Sequence, residues 1–83
     1  MNKAVATIVF KAPSKNICVD LEVPLKISAN ELVLALNEAY KLEIDVSDIK
    51  NCYFKAERPI ALLRGEKSLA DFGVRNGTEI ICS

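Results

Sequence analysis

The chain has 83 residues, 51% of them hydrophobic and 27% charged, and its 11 basic and 11 acidic residues cancel to zero net charge at pH 7. That length suits one compact domain with a modest core, the apolar content argues against disorder, and no apolar run is long enough to span a bilayer. Nucleic acid is disfavoured as a partner because its binding depends on neutralising phosphates, and the balanced charge gives no pull toward anionic membranes.

At the start, Met1 to Lys3 is weakly charged, and Ala4 to Phe10 runs into Lys11, Ala12 and Pro13 with no small-residue cleavage pattern, so no secretory leader is read. Residues 4–10 (AVATIVF) are β-branched and apolar and predict a first strand. Residues 11–16 (KAPSKN) predict a turn, punctuated by Pro13, Ser14 and Asn16. Residues 17–23 (ICVDLEV) alternate, with Ile17, Val19, Leu21 and Val23 on one face and Cys18, Asp20 and Glu22 on the other. That is the period of a half-buried strand, and the two strands predict a hairpin.

Pro24 ends the second strand, since it cannot donate to a ladder. Ser28 and Glu31 have the spacing of a capping box, with Ile27 placed as a staple. A helix is predicted from Ala29 to Tyr40, with Leu32, Ala35, Leu36 and Ala39 on its apolar face, broadened by Val33 and Leu34. Asn37, Glu38 and Lys41 are assigned to water. Residues 42–50 (LEIDVSDIK) read as an irregular crossover or a short strand, with a helical turn at Val46 to Ile49 in the first case. Leu42, Ile44, Val46 and Ile49 would then plug the end of the core.

Residues 51–56 (NCYFKA) predict a strand, Glu57 to Pro59 a turn, 60–63 (IALL) a short strand and Arg64 to Glu66 another turn. Ser68 to Asp71 (SLAD) predicts a short capped helical turn, left through Gly73, with Leu69, Phe72 and Val74 as anchors. Asn76-Gly77 is a strong turn signal before a last strand at 78–82 (TEIIC). The fold class is α+β, in the order β-β-α-β-β-turn-β, with one main helix packed on one face of a mixed sheet and residues 1–83 forming a single domain.

Catalytic chemistry is not apparent. The chain has no histidine, so a nucleophile with an imidazole base cannot be built. Cys18, Cys52 and Cys82 are too far apart for a zinc motif, and an odd count suits reduced thiols, each read as a small hydrophobe within a strand. Asp20, on the same strand face as Cys18, disfavours a thiolate there. The acidic pairs Asp20/Glu22 and Asp45/Asp48 read as solvated surface, as do Lys3, Lys11 and Lys15 near the first hairpin, and no glycine belongs to a phosphate loop. Catalytic, metal and cofactor-binding residues are therefore expected to be none.

Tyr53 and Phe54 are adjacent in a strand and must take opposite faces. If Phe54 enters the core, Tyr53 is either an aromatic platform on the back of the sheet or a partly covered surface tyrosine. Tyr53, with Cys18 and Asp20, is the candidate protein-interaction set. The last strand and the strand at 60–63 are expected to leave edges, through which copies could pair.

The chain resembles ubiquitin-like β-grasp proteins. The resemblance is carried by ICVDLEVPLKISANELV, similar to their second strand and helical cap, and more specifically by SLADFGVRNGTEIIC, similar to their Leu-x-Asp-aromatic turn, polar turn and closing strand. It covers essentially the whole chain and is nearest to the YukD/EsaB-like proteins of type VII (WXG100, or Ess) secretion systems in Gram-positive bacteria. The resemblance implies that Ser28, Glu31, Leu69, Asp71, Phe72, Gly73, Asn76 and Gly77 are fold residues, with Asp71 tying down local backbone. It also implies a cytoplasmic protein that docks to a secretion ATPase or a membrane component. Conjugated and sulfur-carrying relatives end in a flexible Gly-Gly tail, whereas this sequence reads Cys82-Ser83, so docking without conjugation is expected. A general β-grasp adaptor of another bacterial complex is the alternative, and a sulfur carrier or modifier is a more distant one.

Overall fold

Alternation decides the first hairpin. Val5–Ala12 forms β1, with Ala6, Ile8, Phe10 and Ala12 buried and the residues between them turned outward. The computed structural model describes residues 4–82. Ile17–Pro24 forms β2, antiparallel to β1, with Ile17, Val19, Leu21 and Val23 turned toward the core and Cys18, Asp20 and Glu22 exposed. β1 runs two residues further than predicted because Lys11 and Ala12 still pair with Cys18 and Ile17. A 3-10 turn at Pro13–Lys15 then reverses the chain through Asn16 at φ 56°.

Ala29–Tyr40 forms α1. The Ser28 hydroxyl accepts from Glu31 N at 3.1 Å, and the Glu31 carboxylate accepts from Ser28 N at 3.2 Å. The buried stripe is Ala29, Leu32, Val33 and Leu36, continued by Tyr40, whose ring lies 5.5 Å from that of Phe10. Ala35 and Ala39 are exposed, contrary to the predicted face. At 100° per residue the stripe set by Ala29 and Val33 excludes them, and alanine is too small to mark a face by itself. Asn37 is also not left to water, because it binds the backbone of Ile44.

After the helix the chain is irregular. Leu42 is buried, Ile44 and Ile49 pack against the core, and a 3-10 segment spans Val46–Asn51. The remaining strands are β3 (Phe54–Glu57), β4 (Ala61–Leu63) and β5 (Glu79–Ile81). Each is shorter than predicted. Cys52 therefore precedes β3 and Cys82 follows β5, so only Cys18 of the three cysteines lies within a strand.

The sheet order is β2-β1-β5-β3-β4, with β1 and β5 parallel and the other neighbours antiparallel. The last strand is thus central, and the edges are β2 and β4. The expectation that the last strand leaves an edge is corrected by its pairing on both sides. Phe10 and Phe54 meet at 5.7 Å between ring centres, among Ile8, Leu32, Leu63, Leu69 and Ile80, all buried. No helix among the described residues is long and apolar enough to cross a membrane.

The long connection from β4 to β5 ties the helix entry to the sheet. Ala29 N donates to Lys67 O, Leu69 N to Ile27 O and Ala70 N to Leu25 O, at 2.9–3.0 Å. Residues 69–73 form a short hydrogen-bonded turn, in which Phe72 N donates to Ser68 O at 3.2 Å, one helical turn capped by Ser68. Asp71 contributes its backbone N–H, which donates to Ser68 Oγ at 3.1 Å. Among the described hydrogen bonds its carboxylate takes none. Gly73 has φ 86°, and a Cβ there would come within 3.3 Å of Pro59 Cγ. Leu69 is buried, and Phe72 is half-buried with the Lys67 ammonium 4.9 Å above its ring. Asn76 Oδ1 accepts from Thr7 N at 2.8 Å and Gly77 N donates to Thr7 O at 2.9 Å, so the polar turn is laced to β1.

Candidate protein-interaction site

The helix packs on one face of the sheet, and the residues of opposite parity form the other face. Following the register across the strands, Cys18, Lys11, Ile81, Lys55 and Leu62 make one row of this second face. Asp20, Val9, Glu79 and Glu57 begin the next. Glu79 is held between two cations, with Lys11 Nζ at 2.7 Å on one carboxylate oxygen and the Arg58 guanidinium on the other. The three charges are paired within the chain and leave one net positive charge.

Cys18 and Asp20 sit on the exposed side of edge strand β2. Tyr53 lies beside β3, three strand spacings away, a separation of about 14 Å or more. The candidate interaction residues are therefore not brought into one cluster. Lys11 and Lys15 are likewise separated by function, since Lys15 pairs with Glu43 at 2.8 Å. Lys3 lies outside the described residues.

Tyr53 stands at the mouth of a different feature. Phe54 is buried and Tyr53 is 43% exposed, just before β3 begins. The tyrosine walls a cleft of about 380 Å³ whose floor is Ile44, Cys52 and Cys82 and whose rim carries Asp45 and Asp48. The crossover after α1 supplies most of this cleft, and its shape depends on the local bonds of that crossover. Asp45 accepts from Ser47 N at 3.0 Å and from Ser47 Oγ at 2.6 Å, and Asp48 accepts from Asn51 Nδ2 at 2.6 Å. The Cys52 thiol donates to Asp45 O at 3.3 Å and lies 3.5 Å from Asp48 O.

The electrostatics separate floor from rim. Burial pushes the Cys52 thiol above its ordinary pKa, with the Asp48 and Asp45 charges adding to the effect, and burial alone raises Cys82. Both remain neutral near pH 7. The Ser47 hydrogen bonds hold the Asp45 carboxyl below its ordinary range, so it stays ionised. The result is an apolar slot with a negative lip. Among the described residues no three His, Cys, Asp or Glu side chains are grouped to hold a metal ion. The arrangement can accept an apolar side chain flanked by a cation.

A second apolar surface was not singled out from the sequence. Ile60 is 89% exposed and Leu62 50% exposed, and with Ile81 they line a groove of about 430 Å³ between Lys55 and Glu57. The signal was present, because Ile60 and Leu62 share a parity opposite to Ala61 and Leu63. Within an all-apolar run, however, nothing local says which parity faces the core.

The family described as "WXG100 protein secretion system (Wss), protein YukD" matches residues 5–81. Search of curated proteins finds no match. Among solved structures, the C-terminal ubiquitin-like domain of mouse tubulin-specific chaperone e superposes with a TM-score of 0.73 at 15% identity, covering 98% of this chain and 87% of that one. A ubiquitin-like domain from tubulin-binding cofactor B gives 0.75 at 21% identity, covering 96% and 89%. The UBL domain of Plasmodium falciparum Dsk2 gives 0.60 at 18% identity, covering 95% and 99%. At these identities the likeness is one of fold, and the fold is the ubiquitin-like β-grasp.

Proposed function

This chain belongs to the YukD family of WXG100 (Wss) secretion-system proteins, and on that premise we propose that it is a non-catalytic docking protein of that system in the cytoplasm, held to its partner through the cleft beside Tyr53. The partner is a membrane component of the secretion machinery or its ATPase, contacted on a basic and apolar cytoplasmic segment. The observation that carries this reading is the cleft itself: an exposed aromatic wall, a floor of neutral thiols and isoleucine, and an ionised carboxylate lip. Cytoplasmic flanks of membrane-spanning helices are enriched in lysine and arginine, which complements that lip. Exposed tyrosines are also favoured anchors at protein interfaces, because they bury much area at little entropic cost. No activated nucleophile or metal cluster competes with this reading among the described residues.

The test is affinity capture with a tagged full-length chain from cytosol and from detergent-solubilised membranes, followed by mass spectrometry. Recovery of a secretion ATPase or membrane component is expected. Tyr53→Ala should abolish that recovery at an unchanged unfolding midpoint, and raised salt should weaken it. A folded Tyr53→Ala protein that still binds would remove the cleft from the proposal. Capture of an unrelated bacterial complex instead would favour a general adaptor, and a covalent adduct above 9.1 kDa that survives denaturation would overturn reversible docking.

A further inference from the structure

The second apolar surface, on the sheet face at β3, β4 and β5, is distinct from the Tyr53 cleft. We propose that it is a weak self-association surface, on which two copies of this chain pack face to face about a two-fold axis.

Three features point to a second copy as the occupant. The first is exposure. Ile60 at 89% and Leu62 at 50% are the two most exposed of the large aliphatic side chains among the described residues, and both lie on one groove with Ile81. The second is charge. Of the ionic side chains on this part of the sheet, Lys11, Glu79 and Arg58 form internal ion pairs, whereas Lys55 and Glu57 form none among the described residues. The third is arrangement. Lys55 and Glu57 are two residues apart on β3, so they point to the same face and flank the apolar groove with opposite signs. A two-fold axis through the groove exchanges them. It brings Lys55 of one copy to Glu57 of the other twice, and lays each Ile60–Leu62–Ile81 patch on its equivalent. A surface with one cation, one anion and an apolar centre is complementary to itself, as an isologous interface requires.

The scale of the patch sets the strength. A stable interface buries roughly 800 Å² per partner, more than three aliphatic side chains and two flanking stems supply. The pairing is therefore expected in the high-micromolar range, at the weak end of specific association. The groove and the Tyr53 cleft share no lining residue.

Sedimentation equilibrium of the full chain up to about 1 mM tests this. The expected result is a reversible monomer–dimer equilibrium that Ile60→Ser weakens by about tenfold or more. Lys55→Glu and Glu57→Lys should each abolish it, because every pairing then meets like charges twice. The decisive measurement is the mixture: Lys55→Glu with Glu57→Lys should form the dimer that neither forms alone. All three substituted positions are exposed, and circular dichroism confirms that each variant is folded. A chain that stays monomeric at about 1 mM overturns the proposal. So does a dimer indifferent to Ile60→Ser and to both charge reversals, or a mixture that fails to associate. None of these results depends on capture of a secretion partner through Tyr53.

Discussion

Asn37 on α1 and Ile44 in the following crossover exchange two hydrogen bonds. Ile44 N donates to Asn37 Oδ1 at 2.9 Å, and Asn37 Nδ2 donates to Ile44 O at 3.3 Å. One side-chain amide thus satisfies both backbone groups of a residue that has no strand partner, and it fixes the floor of the Tyr53 cleft. Asn37→Ala is expected to cost about 1–3 kcal/mol, from two partly buried bonds lost and two backbone groups left to water. Asn37→Asp keeps the acceptor but sets a carboxylate against the Ile44 carbonyl, so it should not restore the loss. Urea unfolding of the three proteins measures both effects.

Thr78 is fully buried and polar. Its hydroxyl donates to Arg58 O at 2.8 Å and accepts from Arg75 N at 3.0 Å, joining the turn before β5 to the turn after β3. Thr78→Val keeps the shape and removes both bonds. A loss of about 1–3 kcal/mol is expected, because the two backbone groups lose their partner in a dry site. Thr78→Ser should retain most of the stability. A valine variant as stable as the parent would show that the two hydroxyl bonds contribute no net stability.

The three thiols should differ in reactivity. Cys18 is exposed on edge strand β2, Cys82 is half-buried, and Cys52 is buried. The pKa of both Cys52 and Cys82 is raised by burial, which lowers the thiolate fraction at any neutral pH. Timed alkylation at pH 8 followed by mass spectrometry should label Cys18 first and Cys52 last. The same shift has a stability consequence. A folded thiol pKa above the unfolded one means that the unfolded chain loses its proton first, so stability should fall as the pH rises through 9. Cys52→Ala should reduce that alkaline slope.

Acid should act in the opposite direction. The Lys15 ammonium, bonded to Glu43 at 2.8 Å, holds that carboxyl below its ordinary 4.5, and Ser47 holds Asp45 below 3.8. A depressed folded pKa means that the unfolded chain takes up the proton first. Stability is therefore full above 4.5 and declines as the pH falls through the folded values. Both groups lie at the surface, so the effect is small and screened by salt. Lys15→Met should flatten the acid limb of the unfolding midpoint against pH. An unchanged limb would assign the acid sensitivity to other carboxyls.

Much of the fold was written in local pattern. The period of two in residues 17–23 placed Cys18, Asp20 and Glu22 outward, and Ser28 with Glu31 marked the helix start, because both signals act between residues within one turn or one strand. The sequence by itself determined the order of elements, their approximate bounds and the family. It could not tell that Ala35 and Ala39 are exposed, since small side chains carry little hydrophobic signal. It also left open where Tyr53 points. Only the tertiary structure decided that β5 enters the centre of the sheet between β1 and β3, leaving β4 at the edge with Ile60 and Leu62 bare. Only it separated Tyr53 from Cys18 and Asp20 and assembled the cleft from the crossover and the end of β5. The physical reason is range: periodicity and caps act between near neighbours, whereas strand order and the face a residue presents follow from pairings between segments as far apart as Val9 and Glu79.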